Sequence, residues 1–207
     1  MGERPERVIV EQIPVGPMAN FVYLVTDERS RESMVVDSGW ETEPILKAIR
    51  GAGARMKFVV ATHSHFDHVS TIGELASASG AKTGAHENAP LDCDVKVVDG
   101  QELKLGEAKV RVIFTPGHTS DSICLYDGRE VFTGDTLFVG SIGKFERENA
   151  EEIYNSIHGV LLKLPKSTVM YPGHDYGEVK SRSLADEAAS NPFLMARDFR
   201  SFASIFA

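Results

Sequence analysis

At 207 residues, with 42% apolar and 25% charged side chains, the chain has the composition of an ordinary soluble globular protein with room for one real core. Its net charge of −8 argues against a broad basic surface for nucleic acid or an anionic membrane. Cys93 and Cys124, the only two cysteines, make no disulfide framework, and no run of about 18 or more apolar residues offers a membrane span.

No low-complexity tract, long linker or fixed-period repeat interrupts the sequence, so residues 1–207 read as one domain. The N-terminus is charged and lacks a sustained apolar region, which points to a cytoplasmic protein. β-type runs cover 8–13, 21–25 and 34–36. A helix is predicted over 42–50, with Pro44 in its first turn, Ile45, Leu46 and Ile49 on one face, and Gly51 as its stop. A short buried strand at 58–60 precedes a helix at 69–79 that Gly80 ends. Strands follow at 95–98, 109–114, 122–126 and 130–132, the last two joined by a turn at Asp127-Gly128. The clearest helix runs over 150–164, with Ile153, Ile157, Val160, Leu161 and Leu164 as its apolar stripe and Asn149 with Glu152 as its cap. A strand at 169–171 and a helical tail bearing Phe199, Phe202, Ile205 and Phe206 complete the chain. Strands alternate with helices but also arrive in hairpin series. That order predicts an α/β protein with two mixed sheets and helices outside.

The strongest chemical signal is Thr62-His63-Ser64-His65-Phe66-Asp67-His68. Four side chains of metal-ligand type within six residues are costly to pack together without a cation. Imidazole and carboxylate suit Zn²⁺, and also Fe or Mn. The segment follows the strand at 58–60, so the ligands sit at a carboxyl end, where chemistry is usually found.

Three further segments repeat that placement. Residues 110–118 are a strand, a Pro-Gly turn and His118; 131–135 are a strand, a Gly and Asp135; 169–174 are a strand, Pro-Gly and His174. Small or turn-forming residues before each ligand let the backbone bend and approach a metal closely. Seven ligands are too many for one tetrahedral zinc and suit two metals sharing a bridge, for which Asp135 is the natural carboxylate. A water between two such ions loses a proton near neutral pH and becomes a nucleophile, and the ions stabilise the oxyanion that follows. The implied reaction is hydrolysis of an ester, thioester, lactone, amide or phosphoester. His86, placed in a polar loop, and His158, on the helix at 150–164, fall outside the pattern and read as non-catalytic.

The His-x-His-x-Asp-His string, then a distant His, Asp and His, resembles the metallo-β-lactamase superfamily over essentially the whole chain. The resemblance implies a four-layer αββα sandwich with the metals at one edge. It assigns one metal to His63, His65 and His118, the other to Asp67, His68 and His174, with Asp135 between them and Asp67 also in the catalytic role. Gly134-Asp135-Thr-Leu-Phe-Val-Gly, Gly143-Lys144-Phe145 and Gly173-His174-Asp175-Tyr176 are similar to the glyoxalase II branch, in a short form without the helical C-terminal domain. This implies a hydroxyacylglutathione hydrolase-like enzyme using a metal-bridging hydroxide, two divalent ions (zinc first, iron or manganese allowed), a small-molecule substrate, and Lys144 and Tyr176 as substrate residues. True β-lactamases carry Cys at the position of Asp135. The alternative is a persulfide dioxygenase of the same fold, with one iron on His63, His118 and Asp135. Lactonase, phosphoesterase and RNA-processing nuclease chemistry rank lower.

Overall fold

A computed structural model describes residues 7–206; the charged N-terminal segment read above falls outside it up to residue 6, as does Ala207. Strands β1 (Val8–Val15), β2 (Asn20–Asp27) and β3 (Glu32–Val36) form an antiparallel meander. Helix α1 (Thr42–Ala52) crosses to β4 (Arg55–Val60), then α2 (Phe66–Val69) and α3 (Ile72–Ser79) lead to β5 (Lys82–His86) and β6 (Val95–Val97). These six strands make one sheet in chain order, antiparallel in its first half and parallel in its second.

The second sheet is built from β7 (Glu102–Leu105), β8 (Ala108–Phe114), β9 (Ile123–Tyr126) and β10 (Glu130–Gly134), followed by the small hairpin β11 (Leu137–Phe138) and β12 (Ser141–Ile142). Helix α4 (Ala150–Tyr154) continues through a wider turn at Asn155–Val160 and a tight one at Leu161–Lys163. Then come β13 (Val169–Pro172), β14 (Arg182–Ser183), α5 (Leu184–Ser190), α6 (Pro192–Met195) and α7 (Phe199–Ala203). The order across this sheet is β14-β13-β10-β9-β8-β7, with β13 parallel to β10 and the other pairs antiparallel. The expected pair of mixed sheets is therefore present, and the layering is αββα.

Period-two alternation sets the layers. In β2, Phe21, Tyr23 and Val25 enter the core between the sheets, where they meet Val110, Val112, Ile123, Leu125 and Phe132. Val22 and Leu24 point the other way, onto Ile45 and Ile49 of α1 and Leu75 of α3. Cys124 and Val131 turn out of the second sheet against Ile153, Ile157 and Phe202. Among the described residues no helix is long and apolar enough to cross a membrane.

Several boundaries differ from expectation. Helix α1 runs through Gly51 and stops at Gly53, whose φ of +58° lets its N–H reach the carbonyls of Arg50 and Ile49. Asn149 makes no side-chain cap on α4. Strands β5 and β7 were not expected, and His86 lies buried at the end of β5 rather than in a polar loop, its ring stacked 4.3 Å from Phe114.

Candidate metal centre

Strands β4, β8, β10 and β13 end at one rim, and each hands its chain to a ligand loop. Backbone bonds tie these loops together across the two sheets. The Ile123 N–H donates to Thr62 O at 2.8 Å, Gly173 N–H to Gly134 O at 2.8 Å, and Phe21 N–H to Gly173 O at 2.8 Å.

All seven expected ligands converge there. His65 Nδ1 lies 3.1 Å from His63 Nε2 and 3.0 Å from His118 Nε2, forming one set. His68 Nε2 lies 3.2 Å from His174 Nε2 and 3.4 Å from Asp67 Oδ2, and His174 Nε2 lies 3.3 Å from the same oxygen, forming the other. Asp135 reaches both: Oδ2 is 3.6 Å from His118 Nε2 and 3.4 Å from His174 Nε2, and Oδ1 is 3.3 Å from His68 Nε2. Two ligands on a tetrahedral ion with bonds of about 2.0–2.1 Å sit about 3.4 Å apart, close to these separations.

Hydrogen bonds behind the rings fix which nitrogen faces inward. His118 Nδ1 donates to the Lys144 carbonyl at 2.5 Å and His174 Nδ1 to the Met18 carbonyl at 2.9 Å. A carbonyl only accepts, so each Nε2 is left with its lone pair toward the cluster. Asp37 does the same for His68, with Oδ2 2.9 Å from Nδ1. Asn20 Nδ2 donates to Asp67 Oδ2 at 2.8 Å and is itself held by the Trp40 indole N–H, also at 2.8 Å.

The donor set fits cations. Asp135 Oδ1 is buried without a hydrogen-bond partner among the described residues, an orphan that a metal ion would satisfy. Burial pushes His63 well below its ordinary pKa, reinforced by neighbouring His68. Burial acts the same way on His174, but Asp135 and Asp67 outweigh it and hold that ring up at about 9. Burial would raise Asp135, yet His174 and His68 hold it well below the usual carboxylate range. Carboxylates and imidazoles thus share protons in a space where cations could take the protons' place.

Close approach explains the glycines. A methyl at Gly173 would overlap Asp135 Oδ1 and press on His68 Cε1 at 2.9 Å. One at Gly143 would overlap the Asp135 carbonyl and lie 3.1 Å from His118 Nδ1. Tyr176 lies at the rim, its ring stacked on His174 at 4.6 Å; Lys144 contributes the backbone carbonyl that holds His118, and its side chain is exposed. His86 and His158 are outside the ligand groups, His158 Nε2 donating to the Phe193 carbonyl at 3.0 Å.

Asp37 and Asn20 were not among the expected residues. Asp37 had a signal, since Met34-Val35-Val36-Asp37 repeats the strand-then-acid order of Asp135. Asn20 had none.

Residues 15–174 match the metallo-beta-lactamase superfamily. A hydroxyacylglutathione hydrolase from Cereibacter sphaeroides is 34% identical over 185 residues, covering 86% of this chain and 71% of that protein. The mitochondrial persulfide dioxygenase ETHE1 of Homo sapiens is 30% identical over 193 residues, covering 90% and 76%. The crystal structure of ETHE1 from Myxococcus xanthus superposes with a TM-score of 0.86 at 32% identity, covering 95% of this chain and 89% of that one.

Proposed function

The chain belongs to the metallo-β-lactamase superfamily, and from that premise we propose that it is a binuclear hydrolase acting on an ester or thioester, of the hydroxyacylglutathione hydrolase kind. One observation carries the reading: the second ligand set is complete and oriented. Asp67, His68 and His174 meet within hydrogen-bonding distance of one another, each held from behind by Asn20, Asp37 or the Met18 carbonyl. With two ions bound both sets would be used, whereas a single ion on His63, His118 and Asp135 would leave this one unoccupied. Zinc suits these donors first, and iron or manganese also fit.

Bound divalent ions would supply Lewis acidity toward a water molecule and the substrate carbonyl. The chain's own residues do the rest. Asp135 offers an oxygen to each half, and Asp67 is kept ionised by His174 and Asn20, against the opposing effect of its burial. In this reading Lys144 and Tyr176 are the residues that would contact a small-molecule substrate, Lys144 through its charge and Tyr176 through the ring beside His174.

The second reading is a mononuclear iron persulfide dioxygenase, with iron on His63, His118 and Asp135. Similarity to the two ETHE1 proteins, at nearly the identity of the hydrolase, favours it. Metal analysis per chain, with thioester hydrolysis and persulfide-dependent oxygen uptake assayed side by side, separates the two. Two ions and hydrolysis support the proposal; one iron and oxygen uptake would replace it.

A further inference from the structure

The two halves of the rim differ in chemistry. Phe66, between His65 and Asp67, is 68% exposed, more than any other large apolar side chain among the described residues. Its ring stands edge-on to Trp40, with centroids 5.5 Å apart and planes at 75°. Trp40 cannot easily yield. It lies over Gly16, where a methyl would overlap the indole, and its N–H is held by Asn20, which in turn holds Asp67.

Tyr176, 55% exposed, lies nearly parallel to the His174 ring, and Phe138 braces both rings edge-on at 5.8 and 5.4 Å. Met18, 46% exposed, belongs to the β1–β2 turn whose carbonyl holds His174. Exposed apolar side chains are ordinary when scattered. These three are joined to the Asp67–His174 half by named contacts and stand beside it. On the His118 side, the loop whose Lys144 carbonyl holds that ring carries two exposed cations, Lys144 and Arg147, which line a cleft with Phe193 and Phe206 and make no ion pair among the described residues.

We propose that Phe66, backed by Trp40 and joined by Tyr176 and Met18, is an acyl-binding platform. The substrate is then a thioester with an apolar acyl group laid on that side and an anionic thiol portion toward Lys144 and Arg147. This rests on the hydrolase reading and gives it a substrate class. The reaction adds water across the acyl C–S bond: the acyl carbon gains the water oxygen, the C–S pair leaves on sulfur, and carboxylate, thiol and one proton result. A rigidly backed ring at the mouth removes apolar acyl surface from water without reorganising. Affinity therefore rises with acyl length, while the smallest acyl group is too short to reach the platform.

The product carboxylates test the platform independently of turnover. Calorimetric titration of zinc-loaded protein with acetate, butanoate and octanoate should show octanoate at least about tenfold tighter than acetate. Phe66→Ala should collapse that ratio to about twofold at unchanged zinc content, and Phe66→Gln, similar in length without the apolar face, should do the same. In parallel, KM for octanoyl-N-acetylcysteine should rise in both variants more than KM for its acetyl counterpart. Equal affinity for acetate and octanoate in the wild type, or a ratio that survives both variants, overturns the platform. A carboxylate gradient without hydrolysis of either thioester leaves the platform standing and sinks the hydrolase reading instead.

Discussion

Asp37 Oδ2 lies 2.9 Å from His68 Nδ1, on the edge of the imidazole turned away from the ligand cluster. The same carboxylate accepts from the Thr62 N–H at 2.7 Å through Oδ1, and Thr62 Oγ1 lies 3.1 Å from His63 Nδ1. One buried acid, held at a φ of +61°, thus orients a ligand in each half. Strain of that kind persists only where the surroundings over-determine it.

Asp37→Asn is expected to weaken the second ion by about 10- to 100-fold, the usual effect of losing a partner behind a metal-bound histidine. The amide offers one acceptor oxygen where three donors wait, the Thr62 N–H, the Thr62 hydroxyl and the His68 ring. If its NH₂ faces His68, that ring must accept at Nδ1 and carry its proton on Nε2, where the ligand lone pair should be. If it faces Thr62 instead, two N–H groups collide. Competitive chelator titration reads both affinities, and two unchanged constants would remove Asp37 from this role.

Gly173→Ala should separate metal binding from folding. The added methyl meets Asp135 Oδ1 and His68 rather than open space, so the carboxylate shared by both halves must move. Overpacking of this sort costs about 1–3 kcal/mol, and the zinc content should fall at both positions. Gly80→Ala is the control. Gly80 has a φ of +73° with nothing within 4 Å of a Cβ, so it should lose stability while keeping its metal. A Gly173→Ala protein with two ions bound tightly would show that the close approach is not needed.

The ligands were legible because each follows a strand directly and stands beside Gly, Pro or another ligand in a short string. The residues behind them were not, because a hydrogen bond such as Asp37 to His68 joins positions 31 apart and leaves no local pattern. The 150–164 helix shows a different limit. Ile153, Ile157 and Leu161 are all fully buried, a spacing of four that is wider than the α-helical 3.6. The backbone meets it by widening at Asn155–Val160, so Ile153, Ile157 and Leu161 keep the stripe while Val160, expected on it, is exposed and the regular helix ends at Tyr154. Strands β5 and β7 are short and partly polar, which hid them.

Glu130 supplies a pH dependence far from the metals, at the opposite end of β10 from Asp135. Burial, then the neighbouring Asp127, raises its carboxyl to about 7, and its Oε2 has no hydrogen-bond partner among the described residues. In the unfolded chain a glutamate titrates near about 4.3. Between those values the folded protein holds the extra proton, so this group's contribution is complete below about pH 4 and is lost as the pH climbs through about 7. Glu130→Gln stays neutral throughout. Its stability relative to the wild type should therefore be higher at pH 8 than at pH 5, read from urea midpoints in the two buffers. The same difference at both pH values would mean that Glu130 is ionised normally in the fold.

His68 separates the two functional readings. Its Nε2 lies within 3.4 Å of His174, Asp67 and Asp135, so it serves the second set and touches the shared carboxylate. In the binuclear hydrolase, His68→Ala should strip one ion and leave the His63, His65 and His118 set loaded. A water polarised by one cation gives up its proton less readily than one polarised by two. Turnover should then fall at least about a hundredfold, equivalent to about 2.7 kcal/mol of transition-state stabilisation, and recover in part at higher pH. A mononuclear dioxygenase would keep its single iron and most of its oxygen uptake, because Asp67 and His68 hold nothing it needs. His68 is buried, so His68→Gln, which fills more of the space, guards against mistaking a folding defect for metal loss. If both variants retain two ions per chain and near-normal thioester turnover, His68 is not a ligand that the second ion needs; a single retained iron with intact oxygen uptake moves the assignment to the dioxygenase.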